Sequence, residues 1–350
     1  MRKLKVGYWP ISQSLGSAGD RRRLKFWAED RGHSVITDLS QKVDILVASE
    51  NSDFNSPYFA KNNVPIVFDL IDAYLSPLNS QDDLIRGIAK KITGQISGGV
   101  KPFSHHIKDF CLNSDAVICS SIEQQEIISK YCTNTHVILD SHEEIPLIQP
   151  TKSGITFPDS YRILWEGQPA TIGGLKLISP ALAQLSKSTT LSLDLVTDET
   201  YFKLLNRYFK RNTHNLLKRD LSEIIDIVTI TPWSSENLVD FARKCTVGVL
   251  PIDISVPMQR LKPENRLLIM WRLGLPCLTS PSPAYARVAT VIGADLICHS
   301  PSDWFSKINQ LLQNPNDAHE QVMRGQEYLL DRHSRAILLD KWDRVVESVL

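Results

Sequence analysis

The sequence has no long apolar run, and no window approaches the ~18 apolar residues a membrane helix requires. The start "MRKLKVGYWP" is basic, yet its apolar run is too short for a signal-peptide core and no small-residue cleavage site follows, so a cytoplasmic address is expected. Charge of one sign is also lacking, since Lys plus Arg and Asp plus Glu each number 39. That balance argues against a general nucleic-acid or anionic-membrane binder, while leaving room for a local basic patch. Six cysteines are scattered at 111, 119, 132, 245, 277 and 298 without a C-x-x-C pair, and they read as buried reduced thiols. Walker A, G-x-S-x-G, H-E-x-x-H and Ser/His/Asp groupings are missing too, as are short tandem repeats and low-complexity tracts.

What is present is a chain of 350 residues, 42% hydrophobic and 22% charged, long enough for two domains. Short apolar β-rich runs alternate with amphipathic stretches from end to end. "KLKVGYWP", "VDILVAS", "VPIVFDL", "DAVICSS" and "THVILD" read as strands, their continuous apolar character suiting a parallel sheet covered on both faces. "GDRRRLKFWAEDRGHSV" reads as a helix with Asp20 as N-cap and Gly32 as stop. "DDLIRGIAKKI", "HHIKDFCLNS" and "IEQQEIISKYC" are helical in pattern. The proline-bearing stretch "SHEEIPLIQPTKSGITFPDSY" breaks the alternation and suits a linker. Beyond it "YRILWEG", "LSLDLVTD", "IVTITPW", "TVGVLPID", "PCLTS" and "ADLICHS" read as strands. "GLKLISPALAQLSK", "ETYFKLLNRYFKR", "SENLVDFARKC" and "SDWFSKINQLLQN" read as helices. The expectation is α/β: two Rossmann-like doubly wound domains facing a cleft, an N-terminal one over 1–150 and a C-terminal one over 151–334. A last helix, 335–350, is expected to pack back on the first domain.

In such domains ligands lie at the carboxyl ends of the strands. The strongest candidate there is "PIDISVPMQRLKPENR", a strand end that runs through a Pro-rich loop into a helix starting near Pro263 or Glu264. Arg260, Lys262 and Arg266 flank that helix start, where free N–H donors, the dipole and cationic side chains together suit a diphosphate; solvated charges around an ordinary cap are the alternative. Gly167, Gly173 and Gly174 give the turn "WEGQPATIGG" the freedom of a phosphate-facing loop, with no cation before Lys176. Trp233 is either a base-pocket wall or a hydrophobic staple. In "ISQSLGSAGDRRR", Gly16, Ser17 and Gly19 permit close approach to an acceptor, and a flexible surface loop is the competing reading. Asp69 and Asp72 follow a strand without D-x-D spacing, and no metal-ligand set is evident, so no metal and no cofactor are expected. Asp140, His142, Glu143 and Glu144 close the first half; His142 is a base, a substrate ligand or a hinge contact. The tandem His105 and His106 do not face one site on a helix. "RRRLKFW" and "YFKRNTHNLLKR" read first as solvated helix faces and second as peripheral membrane contacts.

"KPENRLLIMWRLGLPCLTS", with Lys262, Asn265, Arg266, Gly274 and Pro276, resembles the donor-domain motif of family 4-like GT-B glycosyltransferases. "ILWEGQPATIGGLKLISPALAQL" is similar to that family's first donor strand, turn and helix, and "RGHSV" and "SDAVICSSIEQQEIISKY" extend the likeness into the first half. The resemblance implies transfer of a sugar from a nucleotide-diphosphate sugar to a saccharide or lipid-linked acceptor, with retained configuration, in surface-polysaccharide or glycoconjugate synthesis. It implies Lys262 and Arg260 as the catalytic cations, donor contacts from Arg266, Glu264, Asn265, Gly167, Gln168 and Trp233, and acceptor contacts from Gly16, Ser17, Gly19, Asp72 and His142. The chain departs from the family at Ile269, where a ribose-binding Glu is usual, and at Gln168 and Gly173, where cations are usual. Glu264 is the nearest replacement for the ribose contact. A non-transferring epimerase and a degenerate partner subunit are the alternative readings.

Overall fold

Strands that are apolar at successive positions need cover on both faces, and the chain builds two parallel sheets that receive it. The computed structural model describes residues 2–61, 64–76, 80–150, 160–203 and 209–350. These divide into a first unit, Met1–Ser141 with Leu261–Pro263 and His333–Leu350, and a second unit, His142–Arg260 with Glu264–Arg332. The division at Ser141 precedes the expected boundary at 150 because residues after it are held by the second unit. Arg272 Nε donates to the Ile145 carbonyl at 2.6 Å, the Ile148 amide donates to the Arg272 carbonyl at 2.7 Å, and Gln326 Nε2 reaches the Ile148 carbonyl at 2.7 Å. Residues 151–159 of the expected linker lie outside the described residues.

In the first unit the strands are β1 (Lys5–Trp9), β2 (Ser34–Ile36), β3 (Ile45–Ser49), β4 (Ile66–Leu70), β5 (Ala116–Cys119) and β6 (Thr135–Val137). They form one parallel sheet in the order β2-β1-β3-β4-β5-β6, with Val6 opposite Ile45 and Leu46 opposite Ile66. Alternation sends Ile45 and Val47 to one core and Leu46 and Ala48 to the other, so both faces of the sheet are packed. The helix Arg335–Glu347 joins the first of these cores through Leu338, Leu339, Trp342, Val345 and Val346, a spacing that lines one helical face.

The second unit holds β7 (Ser160–Glu166), β8 (Thr190–Val196), β9 (Thr200–Lys203), β10 (Phe209–Asn212), β11 (Val228–Thr231), β12 (Val247–Leu250) and β13 (Cys277–Thr279). Its parallel sheet runs β11-β8-β7-β12-β13 over a core containing Ile163, Trp165, Leu193, Leu195, Val247 and Val249. In each sheet the winding direction reverses once, between β1 and β3 in the first unit and between β7 and β12 in the second. Loops diverge at such points and leave room for a ligand.

Several expectations are corrected. Asp20 is not an N-cap: Ser17 caps a short helix, Ala18–Arg21, and a separate helix, Leu24–Arg31, follows and ends at Gly32 with φ 67°. "RRRLKFW", expected first as a solvated helix face, instead buries Arg23, Leu24 and Trp27. "ETYFKLLNRYFKR" contributes the antiparallel pair β9–β10 rather than a helix, with 204–208 outside the described residues. "ADLICHS" forms a single bridge, Thr279 with Ile297, because the chain touches the sheet edge there for only one residue. The six cysteines are free and buried. Among the described residues no helix is long and apolar enough to cross a membrane.

Candidate functional site

At the β7–β12 divergence, Gly167 and Gln168 leave the end of β7, and the turn continues as a 3-10 helix over Pro169–Leu177. A side chain at Gly174 would place its Cβ 2.4 Å from the Pro251 carbonyl oxygen, so glycine there lets the turn close against the end of β12. Gln168 is exposed, and its carbonyl accepts from the Thr171 amide and hydroxyl at 2.9 and 2.8 Å. Gly173 is exposed with open space around it.

The last residue of β7, Glu166, organises the side chains around this turn. It is 7% exposed, and its Oε1 accepts from Trp233 Nε1 at 3.1 Å. Arg266 donates to the Glu166 carbonyl, places Nε 3.4 Å from Glu166 Oε2, and lies 5.0 Å above the Trp165 ring. Arg266 is therefore engaged by Glu166 rather than standing as an uncommitted phosphate cation. Trp233 lines this end of the sheet as an indole donor. Glu166 was not singled out from the sequence, although a carboxylate ending the apolar run "YRILWE" was a usable signal.

The helix Asn265–Arg272 begins directly after Glu264, whose side chain makes no capping hydrogen bond. Glu264 is 3% exposed, with Oε1 3.2 Å from the Tyr328 hydroxyl and Oε2 3.3 Å from Arg287 Nη2. Its carboxylate is thus committed inside the second unit. Replacing Glu264 with alanine is expected to cost about 1–3 kcal/mol by removing a buried carboxylate that accepts from Tyr328 and pairs with Arg287. A chemical denaturation midpoint equal to that of the parent chain would contradict this. Asn265 Oδ1 lies 3.4 Å from His142 Nε2, which places His142 in the second unit and not in the first, where an acceptor ligand was expected. Ile269 is 2% exposed, a core residue of the helix, and Gly274 ends the segment with φ 73°.

Arg260 and Lys262 differ from their neighbours. Arg260 is exposed and Lys262 half-buried, and neither side chain forms an ion pair or hydrogen bond with the described residues. By contrast Arg162 pairs with Asp194, Arg266 with Glu166, Arg272 with Glu143 and Arg287 with Glu264. Lys262 falls in the stretch Leu261–Pro263 that groups with the first unit, where the Leu261 carbonyl accepts from Ser121 Oγ at 2.9 Å.

In the first unit the loop after β1 is ordered around a buried carboxylate. Asp20 accepts from Tyr8 Oη at 2.8 Å, the amides of Ile11 and Ser12 at 2.8 and 3.0 Å, and the hydroxyls of Ser12 and Ser17 at 2.7 and 2.6 Å. Burial pushes the Asp20 carboxyl up, and these hydrogen bonds more than reverse it, leaving the group below the usual carboxylate range. The Gly16 and Ser17 amides donate to Ser12 Oγ at 3.1 and 3.0 Å, and a Cβ at Gly19 would meet Ile11 and Ile71. Asp69 is not one of a pair with Asp72 in acid–base work, because it is locked to the fully buried Arg23, 2.5 Å from Nη2. Asp72 is half-buried, and its amide donates to Glu50 Oε2 at 3.1 Å. Among the described residues no group of three His, Cys, Asp or Glu side chains is arranged to hold a metal ion.

No family model matches the chain, and no match is found among curated protein sequences. Solved structures do match. Anabaena HepE, crystallised with UDP and glucose, aligns with a TM-score of 0.65 at 12% identity over 99% of this chain and 100% of that one. Sucrose-phosphate synthase from Thermosynechococcus elongatus aligns with a TM-score of 0.60 at 13% identity, over 97% and 80% of the two chains. A mutant of S. aureus TarM, in complex with Fondaparinux, alpha-GlcNAc-glycerol and UDP, aligns with a TM-score of 0.57 at 11% identity. It is covered over 55% of its length by 86% of this chain. These likenesses show the fold: α/β, with two Rossmann-like domains in one chain, the GT-B arrangement.

Proposed function

We propose that the chain transfers a sugar from a nucleotide-diphosphate sugar to a saccharide or lipid-linked acceptor, with retention, in surface-polysaccharide or glycoconjugate synthesis. The observation that carries this reading is that Arg260 and Lys262, just ahead of the helix Asn265–Arg272, are unpaired among the described residues, in a stretch where the other arginines are committed. Two uncommitted cations and a helix N-terminus suit the charge of a departing diphosphate. That HepE and the TarM mutant were crystallised with UDP supports a nucleotide as the donor carrier. In the proposed reaction the acceptor oxygen bonds to the anomeric carbon as the bond to the diphosphate breaks. The departing diphosphate takes the acceptor's proton, so no protein base is required. Lys262 and Arg260 stabilise the charge that develops on the leaving group, and the chemistry is assigned to these cations rather than to a metal.

A calorimetric titration with a panel of nucleoside diphosphates tests this reading. One nucleotide should bind, and Lys262→Ala should weaken it roughly 10–100-fold, the worth of a charge-assisted hydrogen bond. Turnover in the folded variant should fall ~10²–10³-fold, by analogy with loss of one oxyanion-hole donor. Near-normal turnover in that variant would remove Lys262 from its role. The engagement of Arg266 by Glu166 and the burial of Ile269 favour one second reading, a partner subunit that keeps the fold without donor chemistry. Failure of every nucleotide to bind the folded protein would select it.

A further inference from the structure

The helix Ser80–Ile92 of the first unit is inverted in polarity: its polar side packs inward and its apolar side faces out. Asp83 is buried and accepts from the Ser104 amide at 3.0 Å and from the Ser104 hydroxyl. Lys90, half-buried, sets its ammonium 3.1 Å from Gln95 Oε1 and 4.3 Å above the Phe103 ring. Arg86 stands 5.2 Å over the Tyr74 ring. Gly87 is buried on this side, where any side chain would collide with the Lys101 carbonyl.

On the opposite side Leu84, Ile85, Ile88 and Ile92 are 39%, 53%, 37% and 75% exposed. Spacings of three and four place them on one helical face. Val100, 57% exposed, extends that face, because its segment runs alongside the helix: Lys91 Nζ donates to the Gly98 carbonyl and Gly87 lies against Lys101. A contiguous exposed apolar surface of this kind marks an interaction site.

Charge distinguishes the occupants. A helix that lies on an anionic lipid surface lines its polar rim with lysine and arginine. Here Arg86 and Lys90 are turned inward, and Lys101 beside Val100 is paired with Asp109. The charged side chains that the helix exposes are one acid, Asp82, and one base, Lys91. At 3.6 residues per turn these two are about two and a half turns apart, so they stand at opposite ends and on opposite edges of the apolar face. A two-fold axis through the middle of that face lays isoleucine on isoleucine. The same axis sets Asp82 of each copy against Lys91 of the other, the self-complementarity that an isologous contact requires. We infer that the outward face of the helix Ser80–Ile92, with Val100, is the contact through which two copies of this chain form a dimer. The inference is independent of the proposed glycosyl transfer, and none of the residues assigned to that reaction lies on this face.

The test is sedimentation velocity on the full chain across a micromolar concentration series. The parent chain should pass from monomer to dimer as its concentration rises. Ile85→Glu combined with Ile92→Glu, at two well-exposed positions, should weaken self-association roughly 30-fold or more, the effect of losing a buried interface anchor. Its circular dichroism should stay that of the parent. Asp82→Lys and Lys91→Asp should each weaken the dimer several-fold, and an equimolar mixture of the two should associate again, because each copy then meets opposite charge. Should the double-glutamate variant not fold, this mixture decides. A chain that stays monomeric throughout, a dimer indifferent to the glutamates, or a mixture no tighter than either variant alone would overturn the inference. So would a monomeric chain that sediments with vesicles of phosphatidylcholine and phosphatidylglycerol and is released by the glutamates, which would assign the face to lipid.

Discussion

Arg23→Ala is expected to destabilise the first unit by about 3–5 kcal/mol, the typical cost of removing one partner from a buried ion pair. The guanidinium is 0% exposed and spans three elements. Its Nε and Nη2 atoms contact both oxygens of Asp69 at 2.5–3.0 Å, and its Nη1 reaches the Ile138 carbonyl at 2.8 Å and Asp140 at 3.2 Å. Without it, Asp69 at 2% exposure has lost its counter-charge. Burial already raises that carboxyl, with Arg23 drawing it back down, so in the variant its pKa climbs further above the unfolded value. A group whose folded pKa is raised contributes stability at low pH and loses it as pH rises through the folded pKa. The deficit should therefore be smaller at pH 5 than at pH 8. Arg23→Met combined with Asp69→Asn should recover much of the loss, since a neutral replacement removes the stranded charge. Amide hydrogen exchange in β1 and β4 is the direct measurement. Protection unchanged from that of the parent chain would show that the cluster carries no net stability.

This cluster also marks the limit of what was legible in the sequence. The β-α alternation is written in local runs: continuous apolar strands such as "ILVAS", Gly32 and Gly274 where helices end with positive φ, and a helix start after Pro263. Arg23 sits in a run of three arginines that reads as solvated surface, and nothing local distinguishes it from Arg21 and Arg22. Its partners are 46 and 117 residues away, so only the folded sheet brings them together. Asp20 fails for the related reason that its partners include Tyr8 on β1, so tertiary hydrogen bonds override its capping preference. The β9–β10 pair was misread because "ETYFKLL" carries a helix-like spacing, and single-sequence periodicity does not report that Arg211 pairs with Tyr201. At the candidate site the basic run 260–266 was readable as a cluster. Which of its cations stay unpaired depends on Glu166, a hundred residues from Arg266. Glu166 itself carried a signal that was available: it is a carboxylate at the end of an apolar strand, where α/β sheets bind ligands.

Deletion of residues 334–350 should unfold the first unit outright. The helix Arg335–Glu347 contributes Leu338, Leu339, Trp342, Val345 and Val346, each at most 4% exposed, to the core formed by Leu4, Val6, Trp27, Val47 and Ile118. Each such side chain is worth about 1.5–3 kcal/mol of burial. Five of them together rival the about 5–15 kcal/mol by which a whole domain is stable. Polar contacts add specificity: Trp27 stacks on Trp342 at 5.7 Å, its indole N–H donates to Asp343 Oδ1 at 2.8 Å, and Arg31 Nη2 reaches Asp343 Oδ2 at 2.6 Å. Truncation would also strip cover from the β1 face and leave apolar surface prone to association. Trp342→Ala, a smaller lesion in the intact chain, should cost about 3–5 kcal/mol through lost burial and the cavity left beside Trp27. Asp343→Asn should cost much less, because an amide oxygen can still accept from the Trp27 indole. Hydrogen exchange resolved by segment separates these outcomes. In Trp342→Ala, protection should fall in β1, β3 and the helix Leu24–Arg31 first, since those elements share its core. If instead the truncated chain keeps native protection in β1, the helix is an accessory to the first unit and the core closes without it.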